Sequence, residues 1–324
     1  MKVTVVLPTY NRAHLVGQAI QSVLDQQFTG WELIIVDDGS TDNTPEVLAR
    51  FTDPRIRVIR QTNEGIARAN NVGFREARGE YAIKLDSDDR YLPHCLARLV
   101  AVADQNPDAV LVYGRSQAMD ADGRPLPQMT GSPEPFPGRY QASILYGDFV
   151  APIAALIRRT TMERVGLFDA DLGAAEDWDM WVRLAGQGRF VFIDEVMTQF
   201  RVHPGRSTAP QPDRINKVVM ARLKVLDKAF ARTDLSDDAR SIRRLAYRNV
   251  YVEMGLRWQA AGLLGQAFSS YAQAVRIGPN PLETIARIIY LAVYYRLVQR
   301  FRGARVLSDT VARWRRQRRG QARE

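Results

Sequence analysis

The chain carries one cysteine, Cys95, so no disulfide can close within its 324 residues. That suits a reducing compartment. No run of 18 apolar residues occurs, so no membrane-spanning helix is expected. The opening "MKVTVVLPTYNR" has an apolar run too short for a secretory leader, and no small-residue cleavage site follows. A cytoplasmic location is the expectation. Net positive charge is scarce over most of the chain as well. Of the formal net charge of +9, most lies between Arg296 and Glu324, where ten Arg stand against Asp309 and Glu324. A near-neutral body with a basic tail is not one that wraps nucleic acid, so no nucleic acid partner is expected. Two motifs are missing. Counted from Asp86, the sixth and twelfth positions of a calcium loop would be Tyr91 and Ala97, not Gly and Glu. The nearest approach to G-x-G-x-x-G, Gly186-x-Gly188, follows a helical pattern and lacks its third glycine.

What is present is a core-forming composition, 46% hydrophobic and 25% charged. "VTVVLP" (Val3–Pro8), "WELIIVD" (Trp31–Asp37), "IRVIRQ" (Ile56–Gln61), "YAIKLD" (Tyr81–Asp86) and "AVLVYG" (Ala109–Gly114) read as strands. Helical segments lie between them, near 14–26, 45–50, 66–77 and 93–104. In the first, Leu15, Ala19, Ile20, Val23 and Leu24 share one stripe. This alternation predicts a parallel α/β sheet with helices on both faces. Residues 120–138, rich in Pro and Gly, read as a loop. "AALIRRTTMERVGLFD" reads as a strand and short helix, "EDWDMWVRLAGQG" as a helix with Trp178 and Trp181 on its apolar face, and "RFVFID" as a strand.

Sheets of this kind bind ligands beyond the carboxyl ends of their strands. Polar clusters fall there: "PTYN" after the first strand, "DDGSTDNT" after the second, "DSDD" after the fourth. Ser40 to Thr44 also suit a turn with a helix cap at Asn43 or Thr44, and Asp177 also suits a helix N-cap. Asp86, Ser87, Asp88 and Asp89 pose the sharper question, since three acids in four residues repel one another. A divalent cation with a diphosphate answers it. Mg²⁺ and Mn²⁺ take oxygen ligands, commonly one or two carboxylates plus phosphate oxygens.

"VVLPTYNR", "QSVLDQQFTGWELIIVDDGSTDNT", "NEGIARANNVGFREARGEYAIKLDSDD", "AAEDWDMWVRLA" and "FRVHPGRST" occur in this order across residues 3 to 208. Together they resemble the inverting nucleotide-sugar glycosyltransferases of family 2. The resemblance implies the GT-A fold, a Rossmann-like α/β sheet with helices on both faces. It implies that Pro8, Thr9 and Tyr10 line the nucleoside pocket, and that Asp38 accepts a hydrogen bond from the base. Arg68 would lie against the nucleotide and its phosphates. Asp86 and Asp88 would form the D-x-D pair, Asp86 toward the donor and Asp88 on the metal, which Asp89 and His203 would share. Asp177 would be the catalytic base, with Glu176 beside it in the substrate site. The donor implied is a nucleoside diphosphate sugar, most plausibly UDP-linked. The acceptor is a glycan or lipid-linked saccharide in surface polysaccharide synthesis, and the cofactor is Mn²⁺ or Mg²⁺.

The residue types fit that chemistry. An inverting transfer needs one carboxylate opposite the leaving group to take the acceptor's proton, and a cation to stabilise the departing diphosphate. Two other classes compete. A nucleotidyltransferase also pairs acids with metal, but usually carries a Gly-rich, basic loop where this chain has "PTYNRAH". A non-catalytic nucleotide-sugar binding protein would not need Asp177.

Two domains are expected: a catalytic one over 1–208 and a helical region over 209–324. The second holds one tetratricopeptide-like hairpin, "AAGLLGQAFSSYAQAVRIGPNP", and the Arg-rich tail. Ile285, Ile288, Ile289, Ala292, Tyr295 and Val298 fall on one helical stripe beside that tail, which suggests a peripheral contact with an anionic membrane. Packing of this stripe on the rest of the protein is the alternative.

Overall fold

The computed structural model describes residues 1–203 and 212–293. Strand β1 (Val3–Thr9) has all seven residues buried, as a strand covered on both faces must. Helix α1 (Val16–Leu24) follows, then β2 (Trp31–Asp37), α2 (Thr44–Leu48), β3 (Ile56–Arg60), α3 (Ile66–Arg75) and β4 (Tyr81–Lys84). Strands β3, β2, β1 and β4 lie side by side in that order and run parallel. Their side chains alternate between faces with the period of two. Val5, Leu33 and Ile83 pack against Ala19 and Ile20 of α1 in the main core. Ile34 and Val36 pack against Ala69 of α3 on the other face. At Gly73 a side chain would collide with Val6, so the missing Cβ lets α3 settle onto β1.

Next come β5 (Arg90–Tyr91), α4 (Cys95–Gln105), β6 (Ala109–Met119), β7 (Pro125–Thr130), α5 (Tyr140–Tyr146), β8 (Ala155–Arg158), α6 (Arg159–Val165), α7 (Glu176–Leu184) and β9 (Arg189–Arg201). The expectation of a parallel sheet fails here, because the full order β3-β2-β1-β4-β8-β6-β9-β5 is mixed. Strand β8 runs antiparallel to β4 and to β6, whereas β9 runs parallel to β6. The cause is a hairpin at 120–124, where Asp120 and Arg124 are joined by a 2.9 Å backbone bond. It sends the chain back along β6 as β7, and β8 continues in that returning direction. Residues 120–138 are therefore not all loop. Pro125 and Pro127 are tolerated because β7 pairs on one side only. The thiol of Cys95 is fully buried in the main core, and burial pushes its pKa far up.

The described residues fall into two compact units that divide after Ala246, whereas the expected division stood at 208. Helices α8 (Pro212–Phe230) and α9 (Asp237–Ser241) belong to the first unit. Lys228 of α8 reaches Asp169 at 2.8 Å and Asp179 of α7 at 2.9 Å. Helix α10 (Arg243–Ala260) runs on into the second unit, followed by α11 (Leu264–Ile277) and a helix over 281–293. Tyr271 donates to Gln259 at 3.0 Å across the α10–α11 turn. Tyr295, Val298 and the Arg-rich tail lie outside the described residues, as do 204–208 of the "RVHPGRST" motif.

Candidate active site

The loop after β1 is laced to the loop after β2. Asn11 donates its amide to Ser40 Oγ at 3.0 Å, and its Oδ1 accepts Thr41 N at 2.8 Å. Arg12 N reaches Thr44 Oγ1 at 2.9 Å. Asn11 takes φ 51°, an uncommon conformation for a residue with a Cβ. The Ser40–Thr44 cluster thus serves as a latch, and Asn43 makes no side-chain cap bond to α2. Pro8 costs the sheet nothing. Val6 O already accepts Leu85 N from the β4 side, and β4 has ended by the level of Pro8. Thr9 is buried, whereas Tyr10 is 43% exposed.

Asp38 is buried, and its carboxylate is nearly filled by the protein. Oδ1 accepts Gln61 Nε2 at 2.7 Å and Glu64 N at 2.9 Å, and Oδ2 accepts Gly65 N at 2.9 Å. A carboxylate has about four acceptor sites, so one remains open to a ligand. Gly65 has φ 91°, which lets the chain bend into α3 there. Arg68 is exposed and only 4.0 Å from the exposed Asp171, a pair that solvent screens. It touches none of the other expected site residues among the contacts described.

The acids of "DSDD" part company. Asp88 Oδ2 lies 2.9 Å from His203 Nε2, with both side chains largely buried. Asp89 Oδ1 accepts Arg201 N at 2.7 Å. Of the expected metal trio, Asp88 and His203 are in direct contact. Among the described residues no three His, Cys, Asp or Glu gather closely enough to hold a metal. The pair still suits Mg²⁺ or Mn²⁺, which complete their shells with phosphate oxygens and water. Arg201, buried at 2%, was not foreseen. It donates to the Asp88 carbonyl at 3.0 Å, to Ala121 O at 2.7 Å and to Gln18 Oε1 at 2.8 Å. One side chain so joins α1, the acidic turn and the β6–β7 hairpin.

Helix α7 brings Glu176, Asp177 and Asp179 into its first turn, where the helix dipole favours anions. Ala175, just before it, has φ 62°, a left-handed conformation. Ala175 holds the N-cap position, so Asp177 is not the cap. Its Oδ1 accepts the amide of Trp178 at 2.8 Å. Asp179 is structural, buried and bound to Arg183 at 2.8 Å and Lys228 at 2.9 Å. Trp178 and Trp181 are core residues at 1% exposure, and Trp178 Nε1 donates to Ile144 O. Burial, then the charge of Asp177, raise the Glu176 carboxyl pKa above its ordinary value.

Lys84 is the other residue that was missed. Its side chain is buried, with Nζ 3.5 Å from Asp86 Oδ1. Burial alone would lower its pKa. The carboxylates of Asp86, Asp177 and Glu176 outweigh that and hold its pKa above the ordinary lysine value. A lysine ending an otherwise apolar strand was the available signal, since lysine is rarely buried unpaired. Two residues carry buried polar atoms with no hydrogen-bond partner: Thr9 Oγ1 and both amide atoms of Asn70. Such atoms are costly unless a ligand or water meets them.

A mixed sheet with acids at the carboxyl ends of its strands, and a second acidic turn on a facing helix, is the GT-A architecture. Two solved structures share it: S. aureus TarS 1–349 in complex with UDP-GlcNAc, and the mannosyltransferase PcManGT from Pyrobaculum calidifontis in complex with GDP-Man and Mn²⁺. The first has a TM-score of 0.61 at 20% identity, covering 92% of this chain and 88% of that one. The second has a TM-score of 0.62 at 22% identity, covering 91% and 82%. The chain belongs to glycosyl transferase family 2, whose pattern matches residues 4–166. The succinoglycan biosynthesis protein ExoO of Rhizobium meliloti (strain 1021) is 32% identical over 249 residues, 71% of this chain and 68% of ExoO. An uncharacterized glycosyltransferase of Rickettsia felis (strain ATCC VR-1525 / URRWXCal2) is 29% identical over 216 residues. The match covers 66% of this chain but 35% of that protein, so the chain spans about a third of such relatives.

Proposed function

We propose that the chain is an inverting, metal-dependent glycosyltransferase. It moves a sugar from a nucleoside diphosphate donor, a UDP sugar, to a glycan or lipid-linked saccharide during surface polysaccharide synthesis. The observation that carries this reading is the 2.9 Å contact of Asp88 with His203 beyond the end of β4, together with Glu176 and Asp177 in the first turn of α7. Asp177 takes the proton of the acceptor hydroxyl as that oxygen attacks the anomeric carbon. Asp88 and His203 would hold a divalent cation, which supplies charge neutralisation to the leaving diphosphate. Tyr10, exposed at the mouth of the laced loops, stacks on the base, and Pro8 and Thr9 form the wall behind it. The open acceptor site of Asp38 receives the base, Asp86 contacts the donor, and Arg68 swings onto the phosphates. The UDP-GlcNAc bound by TarS supports a UDP sugar, the Mn²⁺ bound by PcManGT supports the cation, and the name of ExoO supports a polysaccharide product.

The test is a panel of nucleotide sugars with Mn²⁺ or Mg²⁺, with the anomeric configuration of the product read by NMR. One donor should turn over, with inversion, and lose activity in excess chelator or on Asp88→Ala. Retention of configuration, or full activity in chelator, would refute the reading. Donor binding without transfer to any acceptor would favour a binding protein, and nucleotidyl transfer the other competing class.

The second unit contributes the membrane contact in this proposal. No helix among the described residues is long and apolar enough to cross a bilayer. Leu282, Ile285, Ile289 and Val293 are nevertheless exposed at helical spacing, immediately before the Arg-rich tail. An apolar stripe with basic flanks can lie in a membrane interface. The full chain should float with anionic vesicles at low salt, and a truncation after Asn280 should not. Equal flotation would remove the contact.

A further inference from the structure

The buried carboxylate of Asp38 is held by neutral N–H donors, and among the described residues no cation pairs with it. Gln61 Nε2 and Glu64 N meet Oδ1 at 2.7 and 2.9 Å, and Gly65 N meets Oδ2 at 2.9 Å. We infer that Gln61 is a specificity-determining residue. By occupying Oδ1 it leaves Asp38 one acceptor site, which selects a base with a single N–H on its pairing edge, as in uracil, over guanine. This deepens the proposed function and rests on it for the meeting of Asp38 with the base.

The fold brings the donors together. Strands β2 and β3 run parallel with Asp37 opposite Arg60, so Asp38 and Gln61 are the next residues on neighbouring strands. Gln61 N donates to Asp37 O at 3.0 Å, and Asp38 N donates to Thr9 O at 2.9 Å, which carries the ladder one step past the strand ends. Glu64 and Gly65 stand at the entry to α3, with Gly65 in the N-cap position, and both backbone amides reach the carboxylate. Arg60, the cation next to Gln61 in sequence, is engaged elsewhere. It donates to Ser40 O at 2.9 Å and lies 3.6 Å from Asp37. An ionised carboxylate only accepts, so the end of the Gln61 amide that meets it is the NH₂ end.

A carboxylate has about four acceptor sites, shared between its two oxygens. Gln61 and Glu64 together fill Oδ1, and one site on Oδ2 remains. Uracil needs no more than that, because its pairing edge carries one N–H, at N3. Guanine carries two adjacent donors there, N1–H and the exocyclic amine, and a carboxylate takes that pair with one site on each oxygen. With Oδ1 occupied, the amine of guanine is desolvated without a partner, and an unpaired polar group is what makes a site reject a ligand strongly. Counting donors differs from measuring size. Hypoxanthine has the ring system of guanine and lacks only the amine. Thymine shares the N3–H edge of uracil, so this device does not separate those two.

The experiment measures dissociation constants of UDP, IDP and GDP by calorimetry, on wild type and on Gln61→Met, which keeps the length of the side chain and removes its donors. Wild type should bind UDP, and should bind IDP about tenfold more tightly than GDP, the effect of one hydrogen bond to a charged group. In Gln61→Met a site on Oδ1 opens, and the preference for IDP over GDP should disappear. A merely structural role for Gln61 would weaken all three nucleotides in proportion, and an unchanged ratio of IDP to GDP would overturn the proposal. So would a wild type that binds GDP as tightly as IDP, or one that binds UDP and neither purine, which would be selection by size. If Gln61→Met does not fold, the wild-type ratio decides. Binding requires no acceptor. The expected ratios in a chain that transfers no sugar would support the role of Gln61 and refute the proposed function. Transfer from a UDP sugar with an unmoved ratio would do the reverse, and a chain that binds none of the three would overturn both.

Discussion

Asp89 accepts the backbone amide of Arg201 at 2.7 Å, and Arg201 donates its Nε to the carbonyl of the neighbouring Asp88 at 3.0 Å. This two-way clasp fixes the end of β9 against the acidic turn, and two residues later His203 meets Asp88. Asp89→Ala should strand a buried amide and cost about 1–3 kcal/mol. It should also lower donor turnover, because His203 loses its anchor. Calorimetry and a turnover assay check both effects. An unchanged melting temperature would mean that the clasp does not hold the site.

Asp177→Asn should leave donor affinity near wild type and abolish transfer, since the amide keeps the shape but takes no proton. Isothermal titration with the nucleotide, followed by a transfer assay, separates the two. Transfer at close to the wild-type rate would assign the base to Glu176.

Glu176 gives a prediction in pH. Its folded pKa is raised above the ordinary 4.5, by burial first and by Asp177 second. The folded chain therefore binds a proton more tightly than the unfolded chain. Stability is lost as pH rises from about 4.5 through the raised value. Glu176→Gln removes that loss. The variant should gain stability relative to wild type near neutral pH, and the gain should vanish at acid pH where both side chains are uncharged. A difference that stays constant across the range would contradict the raised pKa.

Ala175→Gly should relieve the left-handed strain before α7, worth about 1 kcal/mol for a residue with a Cβ. Part of this is offset by the greater freedom of glycine in the unfolded chain. The melting temperature should hold or rise while kcat falls, because Glu176 and Asp177 lose a rigid entry to their helix. A gain in both would show that the strain has no part in orienting them.

The first four strands, their helices and the acidic clusters were legible because each rests on local periodicity or on adjacent residues. The reversal of β8 was not, since alternation of strand and helix carries no direction and one hairpin at 120–124 decides it. Asp88 and His203 could be named from their motifs, but the departure of Asp89 to Arg201 could not. That depends on a backbone amide 112 positions away. Lys84 and Arg201 are both buried cations, and the partners of Arg201 come from distant segments. Their presence in apolar strands was visible, and their function required the fold.

The seclusion of Cys95 has a practical consequence. It is the only thiol, it is fully buried, and burial holds it protonated. A thiol reagent can modify it only when the core around α1, α4 and β4 opens. The rate of its labelling is therefore a clock for that opening, whether local or global. The native chain carries a built-in probe of its own breathing, one that reads the core between α1, α4 and the sheet without any engineered label. Slower labelling in the presence of a nucleotide would measure how far a bound donor tightens that core.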